Sequence, residues 1–284
     1  MATFTNQATL SYNDTVVNSN IVTGEILEVL SVTKTALVDS YSQGDTLTYI
    51  VSIINSGATT FSGLTLTDDL GAYEFGTRTL VPLTFEDDSL RVFTNGVLSA
   101  EPTVTAGPPL VVSGLSVPAG GNLLLIYQAT ANDFAPLGED AEVTNTVTLT
   151  GPGITTPITA SETVSSDDEA LLTITKAISP VAVVDNQPIT YTFTIQNFGN
   201  TAVTAEGNAV VTDLFDPILS NLTVTLNGVT LAEGEGYNYN ETTGLFTTVP
   251  GVITVPAATY TQDIETGEVT VVPGTAVLVV TGTV

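Results

Sequence analysis

The chain's only two lysines each lie in a run whose alternate residues are apolar. In LSVTKTA, Lys34 shares a face with Leu30, Val32 and Ala36; in LLTITKAIS, Lys176 shares a face with Leu172, Ile174 and Ile178. Side chains alternate between the faces of a strand, so both amines are aimed at an interior if these runs are strands. The same count aligns Asp68 with Leu64 and Leu66, and Asp213 with Val211 and Phe215. It aligns Asn145 with Val143, Val147 and Leu149, and Asn6 with Phe4, Ala8 and Leu10. An apolar surrounding favours the neutral forms of an amine and of a carboxylic acid. A neutral amine is a nucleophile, and a protonated acid polarises a carboxamide carbonyl and carries protons. The chemistry open to such a set is a Lys–Asn isopeptide bond: Nζ bonds to the asparagine Cγ, the Cγ–Nδ2 bond breaks, and ammonia leaves. The fold supplies proximity once, without turnover. Lys34 is then the nucleophile, Asp68 the proton relay and Asn145 the acceptor, with Lys176, Asp213 and Asn6 as a second set. The plainer reading makes each lysine a salt-bridge residue or an edge-strand side chain reaching water. Recurrence of Lys, Asp and Asn at matching positions favours the crosslink, with Asn55 and Asn197 as competing amides near strand ends.

The elements that must position these residues are short runs such as TLTYIVSII, NLLLIYQATA and PITYTFTIQN, rich in Val, Ile, Leu, Thr and Tyr and broken by Gly, Pro and Asn. These are strand signals, and no helical period persists over a useful length. SVTKTALVDSYSQGDTLTYIVSIINSG reads against TITKAISPVAVVDNQPITYTFTIQNFG, with 15 positions from Lys34 to Tyr49 and again from Lys176 to Tyr191. TLTDDL matches VVTDLF, TNGV at 94–97 matches LNGV at 226–229, and VPAGGNLLLIYQATA matches VPGTAVLVVTGTV. The chain is thus an internal duplication. TNTVTLTG from Thr144 also matches TNQATLSY from Thr5, which places a fragment of a third repeat at the N-terminus.

Composition narrows the function. With no His, Cys or Trp the chain lacks most catalytic and metal-ligating side chains, and no motif implies a metal or a cofactor. A net charge of -26 repels nucleic acid and anionic membrane alike. Paired carboxylates without an aromatic groove do not make a glycosidase. Asp87 and Asp88 lack the spacing of a calcium loop, and Asp167–Glu169 reads as a solvated connection. Nothing in the first twenty residues resembles a signal peptide.

The Lys motif, the strands TYIVSIINSG and TYTFTIQNFG, the Thr-Asp pairs at 67–68 and 212–213, the Asn-Gly hairpins, PGT at 273–275 and the NTVT strand from Asn145 resemble a conserved-repeat family of bacterial surface proteins, catalogued as a domain of unknown function. The resemblance implies an all-β chain of two tandem Ig-like, Greek-key β-sandwich domains, and an extracellular or spore-surface location. The layout of an acidic, cysteine-free pair of domains is similar to subunits of appendages on bacterial spores. Lys–Asn isopeptide bonds occur in some Ig-like modules of bacterial surface fibres.

The expected organisation is a donor strand over 1–12, a linker over 13–29, domain 1 over 30–151, a linker over 152–170 and domain 2 over 171–284, the second domain lacking its last strand. Domain 2 has Lys176 and Asp213 but no asparagine strand, and the N-terminal segment carrying Phe4, Asn6, Ala8 and Leu10 is a strand of that type. Slot and donor describe donor-strand complementation. Set at opposite ends of the molecule, they propagate a homopolymer rather than close a ring. The expected role is a non-enzymatic fibre subunit, at most self-modifying once, with an anchoring protein on the cell or spore surface as a further partner. The alternative is a monomeric surface adhesin or binding module.

Overall fold

Runs that bury every second side chain need a facing layer, and the chain meets that need with paired sheets. The computed structural model describes residues 2–26 and 28–284. The chain opens with β1 (Ala2–Asn6), β2 (Thr9–Tyr12), β3 (Thr15–Asn18) and β4 (Val22–Ile26). β1 pairs antiparallel with β4, and β2 with β3, around a two-residue turn whose Asn13 and Asp14 both take positive φ. Asx residues tolerate that conformation, which matches the twist of a hairpin. The expected linker over 13–29 is corrected accordingly: 15–18 and 22–26 are the return arm of a hairpin. Among the described residues, neither hydrophobic core takes one from it.

The first sandwich follows with β5 (Leu30–Ala36), β6 (Ser40–Tyr41), β7 (Thr46–Asn55) and β8 (Phe61–Asp68). Next come β9 (Tyr73–Phe75), β10 (Arg78–Leu80), β11 (Leu83–Phe85), β12 (Arg91–Thr94), β13 (Val97–Leu98) and β14 (Thr103–Thr105). β15 (Leu110–Val117), β16 (Asn122–Ala131), β17 (Glu142–Thr150) and β18 (Ile158–Ser166) complete it. One sheet runs β13-β12-β16-β7-β5, the other β14-β15-β8-β17-β18-β6. The expected linker over 152–170 is corrected too, because β18 pairs with β17 along its length and turns Val164 into the core. Its Thr and Ser content hid a strand whose exposed Thr159, Ser161, Thr163 and Ser165 alternate with the less exposed Ile158, Ala160, Glu162 and Val164.

The second sandwich comprises β19 (Leu172–Ser179), β20 (Pro188–Asn197), β21 (Thr212–Leu214), β22 (Ser220–Leu226), β23 (Val229–Leu231), β24 (Tyr237–Asn240) and β25 (Leu245–Thr248). It ends in β26 (Thr259–Gln262), β27 (Val269–Val272) and β28 (Gly274–Thr283). The sheet β19-β20-β28-β22-β23 repeats β5-β7-β16-β12-β13, down to the Asn-Gly turns with positive φ at Asn95–Gly96 and Asn227–Gly228. The facing sheet is β21-β25-β24. β8 has a neighbour on each side, β15 and β17, whereas β21 pairs only with β25 among the described residues. Measured against the six-stranded sheet of the first sandwich, this three-stranded sheet lacks counterparts of β17, β18 and the two-residue β6 among the described residues, rather than the single strand that reading 152–170 as linker implied.

Candidate functional site

β5, β8, β16 and β17 converge on one buried polar cluster in the first sandwich. Lys34 comes from β5 and is 4% exposed; its Nζ donates to Asp68 Oδ2 at 2.8 Å. Asp68 Oδ1 accepts from the Leu70 backbone N–H at 2.9 Å, and the Tyr127 hydroxyl donates to Asp68 Oδ2. Asn145, from β17, is 0% exposed, and its Nδ2 donates to the Tyr127 hydroxyl at 3.5 Å. Tyr127 therefore touches both the acid and the amide. Asn145 Oδ1 and the Tyr49 hydroxyl are buried with no partner.

Two aromatic rings wall the amine. Tyr49 on β7 and Tyr127 on β16 are direct cross-strand partners, stacked with centroids 5.6 Å apart. Lys34 Nζ lies 4.8 Å from the Tyr49 centroid and 5.8 Å from that of Tyr127. Burial pushes the Lys34 amine below its ordinary value, and Asp68 opposes part of that shift. The same burial raises both tyrosines. The 2.8 Å contact thus sets the amine directly against the carboxyl group inside a water-poor cluster.

Asp69, facing away from the core, holds the acceptor strand: its Oδ1 accepts from the Thr146 backbone N–H at 2.8 Å, and its own N–H donates to Thr146 O at 3.0 Å. β8 is thereby pinned to β17 at the residue that follows Asn145.

The second sandwich holds half of this arrangement. Lys176 on β19 pairs with Asp213 on β21, but their side chains are 40% and 17% exposed, against 0% and 2% for Lys34 and Asp68. Lys176 Nζ sits 4.5 Å from the Tyr191 centroid. Tyr191 is paired across the sheet with Val280, so the hydroxyl that Tyr127 supplies has no counterpart on that strand. Asn6, Phe4, Ala8 and Leu10 are exposed on the N-terminal hairpin and touch neither Lys176 nor Asp213.

No protein-family model matches the chain, and no curated protein matches it. Among solved structures, it is similar to a variant of the major pilin subunit of Bacillus cereus at 8% identity and TM-score 0.38, covering 95% of this chain and 73% of that one. The major pilin SpaD of Corynebacterium diphtheriae is 12% identical with TM-score 0.36, covering 86% of this chain and 59% of that one. A collagen-binding domain from a Staphylococcus aureus adhesin is 10% identical with TM-score 0.32, covering 49% of this chain and all but 1% of its own, 99%. Likeness at this level assigns no role, and the family resemblance rests on the quoted residues alone.

Asn55 and Asn197, the competing amides, are turn residues. Asn55 Nδ2 donates to Thr59 O and Pro118 O while its Oδ1 accepts from Gly57 N; Asn197 repeats this with Thr201 O, Pro256 O and Gly199 N. Sequence reasoning did not assign Tyr49 or Tyr127 to the site. The available signal was period-two alternation, which puts Tyr127 on the face of Leu123, Leu125 and Ala129, all buried.

Proposed function

We propose that this chain is the structural subunit of an extracellular fibre, polymerising head to tail by donor-strand complementation and locked by Lys–Asn isopeptide bonds. One observation carries the reading: the same Lys–Asp pair is sealed beside Asn145 in one sandwich and lies open in the other, while a strand bearing Asn6 stands exposed. Within a chain, Lys34 attacks Asn145 with Asp68 as proton relay. Between chains, Lys176 attacks Asn6 of the next subunit with Asp213 in the same role; each step forms one C–N bond and releases one ammonia. Burying Phe4 and Leu10 in the slot contributes roughly 1.5 to 3 kcal/mol each, and strand pairing sets register. The layout resemblance extends the reading to appendages of bacterial spores, anchored through a surface protein. No turnover is involved.

The decisive experiment is boiling assembled protein in denaturing detergent. Wild type is expected to leave a ladder of covalent multimers. Asn6→Ala and Lys176→Ala should each collapse it to monomer, and Lys34→Ala should not, since Lys34 lies inside one chain. A wild type that melts wholly to monomer makes Lys176 a salt-bridge residue and removes the covalent junction.

A further inference from the structure

The open side of the second sandwich is wider than one strand. In the first sandwich, β17 fills the place beside β8, but the face of β5 that bears Lys34 is covered by β18, which lies against β5 and runs on to pair with β6. Leu30 is 8% exposed there. On β19 the equivalent positions Leu172, Ile174 and Ile178 are 41%, 54% and 40% exposed. A single strand added beside β21 would supply the counterpart of β17 and still leave β19 without that of β18.

The N-terminal hairpin has the two arms needed. In the first sandwich Asn145 opposes Glu162, and the preceding Thr144 opposes Thr163 on the outer face, their hydroxyls 2.8 Å apart. In the hairpin Asn6 opposes Val22, and the preceding Thr5 opposes Thr23. The Thr–Thr pair next to the asparagine is thus common to both, although the hairpin shifts register by one residue between Asn6–Val22 and Leu10–Val17 where β17–β18 does not. Leu10 and Val17 form a cross-strand pair, and with Val22 they are 68%, 58% and 55% exposed, an apolar face that meets nothing in its own molecule. Where β8 carries Asp69, β21 carries Leu214, 62% exposed, so the edge awaiting a strand is apolar as well.

We propose that the donor is the whole hairpin of a second copy of this chain: β1–β2 takes the place of β17 beside β21, and β3–β4 takes the place of β18 over β19. This rests on the donor-strand reading and specifies what is donated. The return arm shields Lys176 from water as β18 shields Lys34, so the second arm, not the first, creates the dry setting in which an amine attacks an amide.

The test uses the full chain with residues 14–26 replaced by an equal length of Gly and Ser, which leaves β1 and β2 in sequence, alongside deletion of residues 1–11. Loss of multimers in both variants is the expected result. Hydrogen exchange on wild-type multimers should show at least tenfold slower amide exchange at 15–18, 22–26 and 172–178 than in monomer. If the Gly-Ser variant assembles like wild type and only β1–β2 gains protection, one strand suffices and the hairpin proposal is overturned while the donor-strand reading stands. Assembly by the deletion variant overturns both. Protection of the hairpin in a species that elutes as a monomer shows closure within one chain and overturns the second-copy occupant.

Discussion

Lys34 sits where a lone ammonium would cost several kcal/mol; Asp68 and two tyrosine rings lie against it, and Asn145 joins the cluster through the Tyr127 hydroxyl. The proposed conversion to an amide would remove that charge for good. The intact mass of the folded chain is therefore expected to fall short of the sequence mass by one ammonia per intramolecular bond. Asp68→Ala should restore the full mass and lower the urea midpoint, by the loss of a crosslink worth on the order of 4 to 5 kcal/mol for a loop of this length. The tyrosines and the lysine act oppositely with pH. Burial raises Tyr41, Tyr49 and Tyr127 above their ordinary 10.0, so their contribution to stability is intact below pH 10.0 and is lost above it, where the unfolded chain ionises first. Lys34, when not crosslinked, is lowered from 10.5, so between its folded value and 10.5 the unfolded chain binds more protons and stability rises with pH. Urea midpoints of Asn145→Ala should accordingly climb toward pH 10 relative to Lys34→Met/Asn145→Ala. Both should fall at higher pH.

At the scale of elements, the strand ends matter as much as the strands. Asn55 closes the end of β7 by bonding the turn after it and the turn before β16, and Asn197 closes β20 by bonding the turn after it and Pro256 O, which precedes the inserted β26. Each is buried, and truncation strands several backbone groups away from water. Asn55→Ala and Asn197→Ala are each expected to cost about 2 to 4 kcal/mol in denaturant titrations. The covalent chemistry separates them from Asn145: Asn55→Ala should leave the mass deficit of one ammonia in place, and a full-mass Asn55→Ala protein would make Asn55 the acceptor.

The two sandwiches are joined by more than their connection. Where the first turns from β15 to β16 through Gly120–Gly121, the second inserts β26 and β27 between β25 and β28, and this hairpin reaches back. Val269 is buried in the first core, its N–H donates to Asp133 O at 2.7 Å, Gln262 donates to Tyr73, and Arg78 bonds Glu265 O. Replacing 257–273 by a two-glycine turn should split a single calorimetric unfolding transition into two; one unchanged transition would show that the hairpin does not couple the sandwiches.

The duplicated Lys, Asp and Asn were legible because strand parity is local: a period of two puts Lys34, Asp68 and Asn145 on apolar faces whatever the topology. Turn chemistry was local too, and the Asn-Gly hairpins at 95–96 and 227–228 could be read directly. β18 was not legible, because its inward row of Ile158, Ala160, Glu162 and Val164 is broken by a carboxylate and its other face is Thr and Ser, so the strand is made by the neighbours it pairs with rather than by its own apolar pattern. The meeting of Tyr127 with Asp68 and Asn145 depends on the register of β16 against β7 and of β17 against β8, set by contacts far apart in the chain. The contrast between the sealed Lys34 and the open Lys176 depends on which strands cover β5 and leave β19 bare. Sequence alone thus determined the residues and their faces, and the tertiary structure decided which of those faces is closed, because burial belongs to the strands packed over a residue and not to the run that contains it.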